Sequence, residues 1–273
     1  SHASGKTQNW YLKQMAKEKN INLRLATFCK PDEIGKIDLD LYGINYNMYV
    51  RPRGGIVNEL KRGLAWISKL EICNKYAGLT TIDYRIGMRR MLRELEDENY
   101  EPDIIIMQWT EILFFLPILK KIWANAKFVA IEEDVSYLGM QRKRDFYKNV
   151  FQKAFFACKA RRVKKLEIRY LNQCNLVVFN NEKDYKLSCG DGYVGKSIIW
   201  SVFYQNLSDR KLCNNGSNEV VFYGAMAREE NWKSCVWFIK NVLPEIEDKE
   251  IKFVVIGRSE ERRVGKECRS RWS

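Results

Sequence analysis

Three clusters in this chain combine residue types and spacings that could do chemistry. Glu132, Glu133 and Asp134 follow directly on the apolar run Lys127 to Ile131, and the carboxyl ends of parallel strands are where open sheets bind ligands. A carboxylate there accepts hydrogen bonds from hydroxyls or acts as a general base, which makes Glu133 and Asp134 candidates for gripping acceptor hydroxyls. The same residues also fit a solvated turn that caps the next helix. Gly224, Arg228 and Asn231 follow a second apolar run, Val220 to Tyr223. Gly224 would let backbone approach a ligand, and the helix start after it would offer free N–H groups to a diphosphate. A tight turn alone is the plainer alternative, and Arg228 is either a phosphate contact or simply solvated. Gly5-Lys6-Thr7 matches the tail of a phosphate-binding GxxxxGK[ST] loop, as in nucleoside triphosphatases and kinases.

Other chemistries find little support. The single histidine, His2, reads as exposed and inert. Eight cysteines show no CxxC spacing and most lie in apolar runs, which predicts reduced, packed thiols, a cytoplasmic protein and no metal site. No apolar run reaches the length of a membrane span; Ile112 to Ile122, interrupted by Pro117 and two lysines, reads as a core helix.

The elements that must position these residues alternate. Periodicity predicts a helix near 8–20, a strand at Leu23–Phe28, extended chain at Tyr46–Val50, helices near 58–70 and 83–98, and a strand at Asp103–Gln108. A helix over 111–124, the strand Lys127–Ile131, one long helix over about 141–173, and strands at Asn175–Asn180 and Ser197–Phe203 continue the pattern. That rhythm belongs to an α/β fold with parallel sheets. Gln205 to Asn218, QNLSDRKLCNNGSN, has the composition of a linker. It divides an N-terminal domain, 1–204, from the β, α, β opening of a second one, 219–257.

Both ends read as abrupt. Arg258 to Ser273, RSEERRVGKECRSRWS, resembles a translated sequencing adapter and is set aside as a non-native tail of residues 258–273. The polar start runs straight into a helix, so a first strand is expected to be missing. The formal charge is +13; the tail's six basic and three acidic residues account for three of it, leaving +10 on residues 1–257. Such a balance favours anionic partners. Lys159, Arg161, Arg162, Lys164, Lys165 and Arg169 share one predicted helix and predict peripheral contact with an anionic membrane, or a solvated face. A basic nucleic-acid-binding module is the other alternative, but the aromatics show no interleaved stacking motif, so no nucleic acid partner is expected.

The segment VVFYGAMAREENWKSCVWFIKNVLPEI, Val220 to Ile246, resembles the opening of the second domain of family 4 glycosyltransferases: strand, Gly224, Asn231 before a helix, Trp237-Phe238, and Pro244 before the next strand. Asn175 to Leu187, NLVVFNNEKDYKL, is similar to that family's strand and helix late in the first domain. The resemblance spans about residues 1–257 and implies the GT-B fold, two Rossmann-like domains with most of the second missing. It implies transfer of a sugar, with retention, from a nucleotide-sugar donor to a glycan or lipid-linked acceptor, with no cofactor or obligatory metal. It implies donor contacts at Gly5, Gly224, Arg228 and Asn231, although the family's usual Arg after the turn glycine and its Lys-Gly pair are here Ala225 and Glu230-Asn231. The donor-gripping pair of glutamates would lie beyond Gly257, so the chain as written is expected to be inactive.

Overall fold

The computed structural model describes residues 3–51, 63, 67–200, 218–226, 228–248 and 250–257, and of residues 3–7 the backbone alone. It is a mixed α/β structure with parallel sheets, compatible with a Rossmann-like fold, in two compact units, Ser1–Gln205 and Asn206–Ser273. The expected linker but for Asn218, most of the helix at 58–70, the end of the strand at 197–203, His2 and the tail lie outside the described residues.

In the first unit, helix α1 (Ala3–Met15) leads to β1 (Arg24–Cys29), two short 3-10 turns, β2 (Asn45–Val50) and helix α2 (Ile82–Asp97). Strands β1 and β2 form one parallel pair. Helix α2 buries Met88, Met91, Leu92 and Leu95 on one stripe, the i, i+3, i+4, i+7 spacing of an amphipathic helix. Its Gly87 lies against the aromatic rings of β1 and β2, since a Cβ there would sit 2.4 Å from Tyr49 Cδ1 and 2.8 Å from Phe28 Cε1.

A second sheet carries β3 (Ile104–Gln108), β4 (Lys127–Glu132), β5 (Leu176–Phe179) and β6 (Ser197–Ile199), all parallel and in chain order. Parallel neighbours need crossovers, and these are helical. Helices α3 (Thr110–Leu113) and α4 (Leu116–Ile122) join β3 to β4; α5 (Ser136–Phe146) and α6 (Val150–Leu171) join β4 to β5; α7 (Glu182–Gly190) joins β5 to β6. Phe114, Phe115, Leu116, Phe128, Val163, Leu171, Val177 and Phe179 lie at the centre of the core, essentially without solvent contact. Pro117 falls in the first turn of α4, where its missing N–H costs nothing, so the apolar stretch 111–124 is two short helices and not one.

The helix expected over 141–173 is likewise two. Asn149 ends the turn between them by capping α6, its Oδ1 accepting from the N–H groups of Phe151 (2.9 Å) and Gln152 (3.3 Å). The basic residues of α6 do not form one solvated face either: Lys159 is buried, its Nζ donating to the carbonyls of Lys69 (3.1 Å) and Gly78 (3.0 Å), and Lys164 is paired with Asp191. Among the six, Arg161, Lys165 and Arg169 are exposed.

Among the described residues, six cysteines are free thiols; Cys29, Cys174 and Cys235 are buried, whereas Cys73, Cys158 and Cys189 are exposed rather than packed as expected. No helix among the described residues is long and apolar enough to cross a membrane. The second unit contains β7 (Glu219–Tyr223), α8 (Glu229–Asn241) and β8 (Lys252–Ile256), with β7 and β8 parallel. Phe238 of α8 stacks on Phe253 of β8 at 4.5 Å.

Candidate functional site

The two sheets of the first unit each leave an edge unpaired among the described residues, β1 on one side and β3 on the other. Both edges line one cleft of about 770 Å³. Five consecutive residues of each strand, 24–28 and 104–108, face it. A strand showing a face would contribute alternate residues, so each strand presents its hydrogen-bonding edge. Helix α2 supplies an apolar floor with Met88, Leu92 and Leu95, and the carboxyl ends of β3 and β4 supply a polar rim.

That rim holds Gln108, Trp109, Glu133, Asp134 and Ser136. Glu133 Oε1 accepts from Gln108 Nε2, and its Oε2 accepts from the Trp109 indole N–H at 2.5 Å. A carboxylate has about four acceptor sites, so roughly two remain for hydroxyls of a ligand. Trp109 reaches this position in a backbone conformation, φ 69° and ψ 149°, that belongs to glycine and costs on the order of 1–3 kcal/mol for other residues. Its side chain is 39% exposed at the rim. Asp134 is exposed beside it.

Behind the rim lies Glu132, 1% exposed. Thr110 Oγ1 donates to its Oε1 at 3.0 Å. Across from it on α6 is Glu167, equally buried, whose Oε1 accepts the N–H of Ser136 at 2.9 Å. Burial first, and the Glu167 carboxylate second, push the Glu132 carboxyl well above the ordinary range. Burial raises Glu167 too, opposed by the hydrogen bond from Ser136. The pair therefore holds a proton that exposed carboxylates would have lost, and Glu167 Oε2, which has no hydrogen-bond donor while both groups are ionised, is the acceptor for a protonated Glu132.

Two of the sequence candidates, Glu133 and Asp134, thus come together at the cleft rim. Glu132 carries the buried carboxyl, and a signal for it exists: Phe128, Ala130 and Glu132 alternate on the buried face of β4. Gln108 and Trp109 were not singled out in sequence, because nothing short of the β3–β4 register shows that they meet Glu133.

The remaining candidates sit elsewhere. Gly5, with Lys6 and Thr7, lies inside α1 and not in a loop. Gly224 forms a tight turn in the second unit, its N–H donating to Ile256 O at 3.0 Å. A Cβ on the neighbouring Gly257 would sit 2.0 Å from Gly224 O, so two strand ends approach here as only glycine permits. Asn231 Nδ2 donates to Ala225 O at 2.9 Å and fastens this turn to α8. Arg228 precedes α8 and pairs with Glu230 at 2.5 Å. With Glu229 and Glu230 in its first turn, α8 already carries carboxylates at the end that favours anions. Among the described residues, no cluster of three or more His, Cys, Asp or Glu could hold a metal ion. No protein-family model matches the chain, and no curated protein matches it.

Proposed function

We propose that this chain is the acceptor-side domain, with the opening of the nucleotide-sugar-binding domain, of a GT-B glycosyltransferase acting with retention on a glycan or lipid-linked acceptor. The observation that carries the reading is the Glu133 carboxylate, held by Gln108 and Trp109 at the carboxyl ends of parallel strands and lining a cleft with free acceptor capacity. A fixed carboxylate beside an exposed indole suits a polyhydroxylated ligand: one binds hydroxyls, the other covers an apolar sugar face. Asp134 adds a second acceptor at the rim.

The fold supports the same reading in a second way. An extra parallel strand in the cleft would pair with both β1 and β3 and join the two sheets into one Rossmann-like sheet, with the site at the break in strand order. In the second unit, the paired glycines 224 and 257 make the close turn that a nucleotide-binding strand end needs, with Arg228 and Asn231 on the same turn. The reaction requires leaving-group charge to be neutralised by donors fixed in advance.

A glycan array probed with the chain and with Glu133→Ala tests this. Sugar binding by the parent that the variant loses supports the proposal. Absence of glycan binding together with nucleoside triphosphate binding that depends on Lys6 overturns it in favour of a phosphate-loop protein. Calorimetry with uridine and guanosine diphosphate sugars is its companion and tests the donor contacts assigned to Gly224, Arg228 and Asn231.

A further inference from the structure

The hairpin of α5 and α6 ends in an apolar tip surrounded by cations. Phe146, Val150 and Phe151, on either side of its turn, are 72%, 75% and 85% exposed. Three large apolar side chains at one apex are not the scattered exposure of an ordinary surface, and contiguous patches of this kind mark interaction sites. The apex is held from behind by an aromatic layer: Tyr147 stacks on Phe156 at 5.2 Å and 6°, Phe155 meets Phe156 edge-on at 5.2 Å, and Phe146 meets Tyr147 at 5.8 Å.

Arg142, Lys143, Lys148 and Lys153 are exposed around this tip. The single acidic residue between 142 and 156, Asp145, is paired with Arg144 at 2.7 Å. The hairpin is rooted at its other end, where Tyr137 is buried and the Ser136 N–H binds Glu167. Residues 142–146 and 150–154 are exposed but for the half-buried Arg144, whereas Lys159 onward is largely buried. Five residues of helix extend roughly 8 Å, which is the depth, about 5–10 Å, to which amphipathic elements enter a bilayer interface.

We propose that this tip docks on a membrane surface: Phe146, Val150 and Phe151 enter the boundary between headgroups and acyl chains, while Arg142, Lys143, Lys148 and Lys153 bind anionic lipid headgroups. Charge complementarity selects lipid over a protein partner, because lysine is depleted from protein interfaces and here three lysines ring the apex. The docking surface is distinct from the face of α6 that the sequence suggested. Helix α5 departs from the carboxyl end of β4 and its 11 residues, roughly 16 Å of helix, lead from there to the tip. The inference stands whether or not the cleft binds sugars.

The test is flotation of the full chain with phosphatidylcholine vesicles containing or lacking phosphatidylglycerol, alongside two variants, Phe146→Ser/Val150→Ser/Phe151→Ser and Lys143→Gln/Lys148→Gln/Lys153→Gln. All six positions are exposed, so thermal melts of both variants should overlay the parent. Binding should require the anionic lipid, fall roughly 100-fold without the three lysines, and fall as strongly without the apolar tip. In the parent background, Phe151→Trp should shift its fluorescence to the blue and be quenched by brominated acyl chains. Equal binding by the serine variant, no binding to anionic vesicles, or an unquenched tryptophan would each overturn the proposal. Tip-dependent binding of single-stranded oligonucleotides in place of vesicles would do so in favour of nucleic acid.

Discussion

Glu132, the last residue of β4, and Glu167, on α6, meet carboxyl to carboxyl in a site closed to water. In the unfolded chain both ionise near the ordinary carboxylate pKa of about 4.3. In the folded chain the pair keeps a proton. Below that pKa both states are protonated and the pair costs nothing through linkage; as pH rises towards the raised folded pKa, the unfolded state releases a proton that the native state retains, and stability falls.

Glu132→Gln supplies the same shape with a permanent N–H donor for Glu167 and keeps an acceptor for Thr110. The variant should therefore match the parent near pH 4 and become progressively more stable than it between pH 5 and 8. Urea unfolding at several pH values measures this. A pH-independent difference would show that the pair is not sharing a proton.

The strand rhythm was legible because fully buried parallel strands read as apolar runs: Leu176–Phe179 and Lys127–Glu132 need no partner to be recognised. Helix α2 was legible from its stripe of Met88, Met91 and Leu95. The break before α6 was not drawn, although Asn149 carries the capping signal, because apolar spacing continues on both sides of it. The site was half legible. Glu133 and Asp134 announce themselves as carboxylates after a strand, but Gln108 and Trp109 join them only through pairing of β3 with β4, a contact across 24 residues of sequence that no local pattern encodes.

Trp109 spends backbone strain on reaching Glu133. Trp109→Gly relieves a conformation costing about 1–3 kcal/mol and removes a half-exposed indole, so thermal stability should change by less than about 1 kcal/mol. Ligand binding at the rim should fall tenfold or more, since both the apolar cover and one Glu133 donor disappear. Melting and binding measured on the same samples separate the two effects, and a parallel loss of both would make Trp109 a packing residue.

Lys159 is a buried amine that donates to two carbonyls and, among the described residues, to no carboxylate. Burial pulls its pKa down to about 8. Above about pH 10.4 it is neutral in both folded and unfolded chains. As pH falls towards 8, only the unfolded chain takes up the proton, so the lysine makes the fold less stable across that window and by a constant amount below it. Lys159→Met leaves Lys69 O and Gly78 O without this donor, at about 1–3 kcal/mol. Its deficit relative to the parent should be largest near pH 10 and shrink by pH 7. A deficit that does not vary with pH would mean that the amine stays charged throughout.

The two unpaired edges at the cleft make a prediction that needs no ligand. Strand β5 lies between β4 and β6, so both of its edges are bonded, whereas β1 and β3 each bond a neighbour on one side. Met107 and Val177 are equally buried as side chains, at 1% and 0% exposure, so burial alone predicts equal protection for their strands. Edge pairing predicts otherwise: the alternate amides of β1 and β3 that face the cleft have no ladder partner among the described residues and should exchange at least about tenfold faster than the amides of β5, equivalent to about 1.4 kcal/mol of local opening. Hydrogen exchange resolved to single amides decides it. Adding an apolar strand ahead of α1 should then slow those amides to the rate of β5 and raise the melting temperature, because it satisfies both edges at once. Uniform protection across β1, β3 and β5 in the chain as it stands would mean that the edges are already paired and that the cleft is not a place for a strand.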